Sequence, residues 1–312
     1  MRRTLAEQPL SGDLLSRMAE NESVSPALAA TAAQAAEASN AGEPEFEKAF
    51  TRALNNHLLA ADAQPVPKPR TGTGLTWRRD CLNTNIDIAE FLDELDPNVG
   101  ARFLLYGPAG TGKTAWGRQL AEEIERPLVV KRSSELVNPY VGVTEKNIAK
   151  AFHQAEEDNA VLLIDEADSF LDDRNQARQS WQISHVNQFL ASMEEFDGFL
   201  VCTTNFDSRM DIASMRRFDF RVGFDYLTIG QAALLFADLC GLAGIAAPDH
   251  DTLMVWLAGM TRLAPGDFHV LARRLRIRKH STSAEKLLEE LQKECAYKEP
   301  EGRAIGFRAD IH

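Results

Sequence analysis

Cysteine is scarce in this chain, and its spacing excludes two kinds of stabilising site. The four cysteines, Cys81, Cys202, Cys240 and Cys295, lie far apart and form no CxxC pair. This pattern argues against a zinc site and against a disulfide framework, and it predicts free thiols in a reducing compartment. The metalloprotease motif HExxH is also missing from the sequence, so proteolysis would require another protein.

Long apolar segments are lacking as well. No uninterrupted run of about 18 apolar residues occurs, so the sequence predicts no membrane-spanning helix. Met1, Arg2 and Arg3 make a basic start, but no apolar run follows them, so a signal peptide is not expected. We therefore expect a cytoplasmic protein.

Positively charged residues are fewer than negatively charged ones. The chain has 34 Lys and Arg and 46 Asp and Glu, so its net charge is −12. Such a surface repels nucleic acid and anionic membranes on average. One stretch, RRLRIRKH at residues 273–280, is locally basic. A solvated helix face is a better interpretation of it than a nucleic-acid patch. Neither membrane nor nucleic acid is an expected partner.

The first 64 residues differ in composition from the rest, because they are rich in Ala and Glu. Phe46, Phe50, Leu54 and Leu58 recur every four residues, which indicates an amphipathic helix. The alanine-rich stretch before them has high helix propensity but few large apolar side chains to bury. Two interpretations stay open: a helical, partly disordered arm, and an adaptor that docks a partner.

A linker and an α/β domain follow. Residues 65–74 carry alternating prolines and then glycines, a composition typical of an extended linker. Beyond it, five short apolar runs alternate with helical stretches, at residues 102–106, 127–131, 160–165, 198–204 and 220–224. Such runs indicate a parallel sheet with helices on both faces. We predict this α/β domain over residues 75–227.

The strand pattern stops after this domain and gives way to helices. We predict a small all-helical domain over residues 228–297 and a tail over residues 298–312. Thr228 and Gln231 form a capping box at the start of the first helix, and Thr282 and Glu285 predict a second box at the start of the last one.

A phosphate-binding motif follows the first predicted strand and opens a helix. The sequence GPAGTGKT fits GxxxxGK[ST] and comprises Gly107, Pro108, Ala109, Gly110, Thr111, Gly112, Lys113 and Thr114. Its glycines let backbone N–H groups surround phosphates, and the helix N-terminus adds a favourable dipole. Lys113 is expected to neutralise the β- and γ-phosphates, and the Thr114 hydroxyl to ligate Mg²⁺. The motif predicts the sheet of a P-loop NTPase.

Polar side chains end the next two motif-bearing strands. VLLIDEAD places Asp165 and Glu166 at the edge of the sheet beside the phosphates. Asp165 fits the role of holding Mg²⁺ through water, and Glu166 that of polarising the attacking water. VCTTN places Asn205 at a neighbouring strand tip, where it would orient the water or touch the γ-phosphate. An ordinary turn asparagine is the alternative, and the position favours the functional role.

Together these motifs resemble those of the AAA+ ATPases, in particular the AAA-type protein remodellers, over about residues 75–275. The resemblance rests on GPAGTGKT, VLLIDEAD, TTN and DIASMRRFDFRVGF. It implies ATP hydrolysis in a ring, usually a hexamer, with ATP bound between subunits and the small helical domain acting as a lid. Pro265, Gly266 and Asp267 stand where some relatives carry an arginine, so the resemblance assigns no arginine there.

The resemblance also assigns arginine fingers and pore loops. Arg216 or Arg217 would reach the ATP of the neighbouring subunit; family members commonly separate two arginines by Pro-Gly, whereas these are adjacent, so the choice stays open. In NPYVGVTEKN, Tyr140 and Val141 would project into a central channel and grip an extended polypeptide, with Gly142 supplying flexibility. The alternative is a tyrosine packed on its own subunit. Arg174 and Arg178 match a second pore loop.

Three functions compete. The first is an ATP-driven remodeller that threads a protein partner, and the short N-terminal segment is similar to that of compact ATPases that remodel HORMA-type proteins, including bacterial ones in defence operons. The second is a nucleotide-dependent switch or loader acting on a DNA-associated partner without threading. The third is a scaffold with a residual P-loop, which Lys113, Asp165 and Glu166 argue against. Tyr140 and the acidic charge favour the first, because DNA translocators need cationic channels.

Overall fold

The computed structural model describes residues 10–11, 14–15, 18, 21, 23–38, 43–61, 63, 65–66, 74–140, 142–171, 180–205, 212–277 and 282–298. Val141, Arg174 and Arg178 lie outside these residues. The chain divides into two compact units, Met1–Gly72 and Thr73–His312. Within the described ranges, no helix is long and apolar enough to cross a bilayer.

Two helices form the core of the first unit, α1 (Pro26–Glu37) and α2 (Glu43–Ala60). The Ser25 side chain caps α1 by accepting a hydrogen bond from the backbone N–H of Leu28. The buried residues of the two helices belong to one cluster: Ala29, Ala32, Ala33, Ala36, Phe46, Phe50, Leu54 and Leu58. The alanines therefore do have a surface to bury, because their small side chains let the phenylalanines and leucines of α2 approach closely.

A six-stranded sheet organises the second unit. Its strands are β1 (Asn83–Thr84), β2 (Arg102–Tyr106), β3 (Leu128–Arg132), β4 (Val161–Asp165), β5 (Leu200–Thr204) and β6 (Phe220–Asp225). Their order is β1-β6-β2-β5-β4-β3. The five long strands are parallel to their neighbours, and only the two-residue β1 pairs antiparallel, with β6. The α/β prediction is confirmed, and β1 is the strand that the sequence pattern missed.

Helices cover the sheet and then form a separate layer at the end of the unit. They are α3 (Ile88–Glu94), α4 (Lys113–Glu123), α5 (Ser133–Leu136), α6 (Val143–Glu157), α7 (Asp168–Leu171), α8 (Ser180–Glu195), α9 (Ile212–Met215), α10 (Ile229–Ala243), α11 (His250–Leu257), α12 (Pro265–Ile277) and α13 (Ala284–Ala296), with a 3₁₀ turn at Arg79–Cys81. We call α10 to α13 the lid.

Alternation along the central strands fills both faces of the sheet. In β2, Phe103 and Leu105 belong to one buried cluster and Leu104 to the cluster on the opposite face. All three side chains are fully buried, as expected for a strand between two helical layers. Since β5 lies between β2 and β4, the carboxyl ends of these three strands meet at one edge.

The two predicted capping boxes have different outcomes. At α10, the Thr228 N–H donates to Gln231 Oε1 (3.0 Å) and the Gln231 N–H to Thr228 Oγ1 (3.3 Å), so the first box is confirmed. At α13 the second prediction is wrong. Ser283 is the N-cap and its hydroxyl accepts from the backbone N–H of Lys286, because the helix begins one residue later than the pattern placed it.

The basic stretch on α12 is a surface feature where the structure describes it. Arg274 forms ion pairs with Glu290 and Glu294 on α13, at 3.7 and 2.6 Å. Acidic partners on the neighbouring helix occupy this guanidinium, which supports the interpretation of a solvated helix face.

Candidate nucleotide-binding site

The loop between β2 and α4 needs glycine for steric reasons. Gly107 has φ +132°, and a Cβ at this position would lie 2.0 Å from the carbonyl oxygen of Phe224 in β6. Gly110 (φ +80°) and Gly112 (φ +105°) also adopt the left-handed region, which side chains disfavour. The loop therefore rests against β6 as bare backbone, a cradle that leaves its N–H groups accessible to phosphate oxygens.

Lys113, the first residue of α4, lies inside this loop. Its Nζ donates to the carbonyl oxygens of Gly107 and Pro108, both at 2.7 Å, and to Asn205 Oδ1 at 3.0 Å. Burial lowers the pKa of the Lys113 amine to about 8. A phosphate in the loop would favour the charged form of the amine, as an adjacent anion does.

The carboxylate of Asp165 joins three elements of the site. Its Oδ1 accepts hydrogen bonds from Thr114 Oγ1 on α4 (2.7 Å) and from Thr203 Oγ1 on β5 (2.6 Å). We call Asp165 with these two threonines the Asp165 junction. A hydroxyl beside a carboxylate is a hard oxygen donor set of the kind Mg²⁺ prefers. Among the described residues, no three His, Cys, Asp or Glu side chains are grouped as a metal site, so phosphate and water oxygens would complete the coordination.

Glu166 follows in an unusual backbone conformation. Its φ is +57°, and the side chain is exposed at the edge of the cleft. Its N–H donates to Thr203 Oγ1 (3.1 Å), and its carbonyl oxygen accepts from Ser133 Oγ (2.6 Å). A positive φ costs energy for a residue other than glycine. Hydrogen bonds to its N–H and to its carbonyl oxygen therefore hold the Glu166 backbone in this conformation at the edge of the cleft.

Asn205 bridges the loop and the strand tip. Besides accepting from Lys113, it donates its backbone N–H to Asp168 Oδ1 at 3.3 Å. The Thr204 hydroxyl donates to the same carboxylate oxygen. The amide is thus close to the Lys113 amine, where a γ-phosphate contact is geometrically available.

A cleft of about 320 Å³ runs from the phosphate loop to the lid. The predicted residues Lys113, Thr114, Asp165, Glu166 and Asn205 all line it, together with Ala109, Gly110 and Gly112. Its volume is within the range of small-ligand sites. The structure therefore brings the P-loop and both acidic residues to one pocket.

The other end of the cleft escaped the sequence analysis. It is lined by Trp77, Arg78 and Leu82 from the segment before β1, and by Leu235 and His269 from the lid. Burial lowers the pKa of His269, which favours a neutral imidazole. These residues are apolar, aromatic or planar, and no motif could have identified them because they come from segments that are distant in sequence.

Arg216 and Arg217 differ in their surroundings, and neither is among the described residues that line the cleft. The Arg217 guanidinium is paired with Glu194 at the end of α8 within the same chain. Arg216 is exposed and has no hydrogen-bond or ion-pair partner among the residues that the structure describes. Of the two arginines, Arg216 is therefore the exposed one without an ion-pair partner in the described part of the chain.

The Tyr140 side chain is 75% exposed, so it is not a core residue. The Tyr140 N–H donates to Asn138 Oδ1 (3.0 Å), and the Asn138 N–H donates to Thr144 Oγ1 (2.9 Å). Gly142 has φ +80°, and no described atom lies within 4 Å of the position that a Cβ would take there. The base of the loop is hydrogen-bonded while its aromatic tip faces solvent.

Comparison with known proteins gives a consistent result. The family described as "ATPase family associated with various cellular activities (AAA)" matches residues 103–226. An uncharacterised AAA family ATPase y4kL of Sinorhizobium fredii is 34% identical over 130 residues, which cover 41% of this chain and 39% of the relative. Vacuolar protein sorting-associated protein 4 of Dictyostelium discoideum is 35% identical over 125 residues, 38% of this chain and 28% of the relative.

A third relative is proteasome-activating nucleotidase 1 of Haloferax volcanii, 29% identical over 151 residues, 45% of this chain and 37% of the relative. Each of the three alignments spans less than two thirds of the relative's length. The family match covers the phosphate loop, Asp165, Glu166 and Asn205 of the cleft.

Replacing Thr203 tests the Asp165 junction. Thr203→Val removes the hydroxyl, so Asp165 loses a donor and the Glu166 N–H loses its acceptor, at a cost of about 1–3 kcal/mol in unfolding free energy. ATP hydrolysis should fall as well. Thr203→Ser is the matched control, since it keeps the hydroxyl and should retain hydrolysis. Denaturant unfolding and a phosphate-release assay measure both quantities. Equal hydrolysis by the Val and Ser variants would contradict this role of the hydroxyl.

Proposed function

We propose that the chain hydrolyses ATP and remodels a protein partner, using the region at residues 103–226 that matches the AAA ATPase family. The proposal includes a cytoplasmic, ring-shaped oligomer, expected to be a hexamer. The observation that carries the hydrolytic part is the Asp165 junction, because it places Thr114, Asp165 and Glu166 around one cleft.

The residues of this chain have separate tasks in the proposed reaction. Loop N–H groups and the Lys113 amine bind and orient the phosphates, and the lid excludes water from the cleft. Thr114 and Asp165 would hold Mg²⁺, which when bound neutralises charge on the phosphate oxygens. The Glu166 carboxylate accepts a proton from the attacking water, and it is exposed toward the cleft as that role requires. Asn205 is assigned to the γ-phosphate through its contact with Lys113.

The ring part of the proposal concerns the arginines. A residue that acts on the neighbouring subunit's ATP must be accessible and not committed within its own subunit. Arg216 is exposed and has no partner among the residues that the structure describes, whereas Glu194 holds Arg217. We assign Arg216 as the arginine finger in trans and Arg217 to an ion pair within its own subunit.

The remodelling part rests on the Tyr140 loop and on the names of the relatives. An exposed aromatic residue next to glycine can grip many polypeptide sequences, because a rigid ring loses little entropy on contact. Two relatives are named for protein sorting and for proteasome activation, which supports a protein as the partner. A HORMA-type partner in a defence operon stays a prediction.

Glu166→Gln tests hydrolysis. The variant keeps the backbone hydrogen bonds of Glu166 and all of the Asp165 junction, but the amide cannot accept a proton. We expect ATP affinity to be retained and turnover to fall by about a hundredfold or more. Equilibrium binding of a fluorescent ATP analogue and steady-state phosphate release measure the two quantities. Turnover near that of the unmodified protein would contradict the assignment.

Arg216→Ala and Arg217→Ala form a matched pair. Loss of a trans arginine should slow hydrolysis by about 10³-fold, so the Arg216 variant should be almost inactive. The Arg217 variant loses a partly exposed ion pair worth about 1 kcal/mol or less, and it should keep most of its activity. Turnover is measured at saturating ATP. If Arg217→Ala is the slower variant, Arg217 is the trans arginine and the assignment of Arg216 is contradicted.

Tyr140→Ala tests the grip on polypeptide. The ring is exposed, so its removal should leave the melting temperature nearly unchanged, whereas loss of a packed tyrosine would cost about 3 kcal/mol or more. The Glu166→Gln protein, purified in the presence of ATP, should carry bound polypeptides with it. The double variant Glu166→Gln, Tyr140→Ala should lose these copurifying polypeptides. They should be kept on adding Tyr297→Ala, an equally exposed tyrosine after the lid helix α13. Equal recovery from both double variants, measured by mass spectrometry, would refute the loop's role.

A further inference from the structure

A tight backbone contact joins the lid to the phosphate loop. The N–H of Gly266, in the turn that begins α12, donates to the carbonyl oxygen of Gly110 at 2.9 Å. A Cβ on Gly266 would lie 3.2 Å from both the Cα and the carbonyl oxygen of Gly110. The preceding Ala264 is fully buried beside them. The shape of this turn therefore fixes how closely the lid can lie on the loop that binds phosphates.

Asp267 gives the turn its shape. The Asp267 residue is only 6% exposed, and its Oδ2 accepts from the backbone N–H of Ala264 at 2.8 Å. The backbone N–H of Asp267 in turn donates to the carbonyl oxygen of Ala264 at 3.0 Å. This reciprocal pair encloses Pro265 and Gly266. The carboxylate is thus committed to the turn, and it does not line the cleft.

One cation neutralises this buried acid. Lys298, the last residue that the structure describes, donates from Nζ to Asp267 Oδ2 at 2.6 Å. The amine also donates to the carbonyl oxygen of Arg262 (3.3 Å) and lies 5.5 Å from the centre of the Tyr226 ring. In return, Arg262 Nη1 donates to the carbonyl oxygen of Lys298 at 2.6 Å. The lysine is therefore fixed at its backbone and at its charged end.

We propose that Lys298 is a positioning residue for nucleotide binding, acting through Asp267. By neutralising Asp267, Lys298 holds the turn in the shape that presents the Gly266 N–H to the phosphate loop. Removing one partner of a buried ion pair leaves an uncompensated charge. Without Lys298, the Asp267 carboxylate would be more stable in solvent, and moving there would break its hydrogen bond to Ala264 and open the turn. The inference rests on the proposed nucleotide site and adds a binding determinant that is far from the P-loop lysine, Lys113, in sequence.

Lys298→Met in the full chain is the direct test. The turn contacts the backbone of the phosphate loop and none of the reacting atoms. Loss of the Lys298 amine should therefore affect nucleotide binding more than turnover. We expect ADP release to accelerate and the KM for ATP to rise by about tenfold, within the usual range for coupling through packed groups. The value of kcat should stay within about twofold. Stopped-flow release of a fluorescent ADP analogue and steady-state hydrolysis give these quantities.

Two controls separate charge from packing. Lys293→Met removes an exposed lysine from α13, the helix that ends shortly before Lys298, and should change nothing. Lys298→Arg keeps the cation and should restore most of the ADP retention. Asp267→Asn combined with Lys298→Met removes the buried charge together with its partner, so the double variant should hold ADP better than Lys298→Met alone.

Unchanged ADP release in Lys298→Met would overturn the proposal, as would a defect that neither Lys298→Arg nor the double variant relieves. If Lys298→Met does not fold, the double variant alone decides, because the proposal requires it to fold and to bind ADP. Failure of the nucleotide site itself is seen separately. In that case the unmodified protein would not bind the analogue more tightly than Lys113→Ala does.

Discussion

The carboxylate of Asp165 is the contact on which the rest of the site depends. It accepts hydroxyl hydrogen bonds from Thr114 and Thr203, so one side chain joins the helix after the phosphate loop to two neighbouring strands. Through Thr203 the same junction reaches the N–H of Glu166. A partly buried network of this kind is rigid only while every member is satisfied. The position of the proposed base and that of the phosphate loop are therefore set together.

Local motifs made most of this site predictable. The P-loop and the acidic pair follow strands whose apolar character is visible in the sequence, and parallel strands bring their carboxyl ends to one edge. Thr203 was recognised only as part of a strand tip, because its two hydrogen bonds depend on the sheet register. Trp77 and His269 were not recognisable at all, since the cleft that unites them is created by the packing of the lid. The alanines of α1 were misjudged for a similar reason, as their burial requires α2.

Acidic side chains also form ion pairs with some of the lysines and arginines, and these basic groups are then not available to a ligand. Glu194 holds Arg217, and Asp267 holds Lys298, while Arg216 and Lys113 face the surface and the phosphate loop. The same selection occurs at the mouth of the cleft, where Arg78 pairs with Asp80 at 2.6 Å and with Asp238 at 3.1 Å. The pairs of Arg217 and Arg78 are partly exposed and add little stability, whereas the Asp267–Lys298 pair is mostly buried. Their effect here is positional, because each removes one basic group from competition for phosphate.

Hydrolysis at a site shared between subunits is the central claim, and mixed oligomers test it most directly. Glu166→Gln subunits lack the base, and Arg216→Ala subunits lack the trans arginine. An interface is nevertheless complete when an Arg216→Ala subunit supplies Glu166 and a neighbouring Glu166→Gln subunit supplies Arg216. Random mixing in equal amounts makes about a quarter of the interfaces complete in a ring of head-to-tail contacts. The account predicts phosphate release well above that of either variant alone. Release equal to the average of the two separate variants would contradict it.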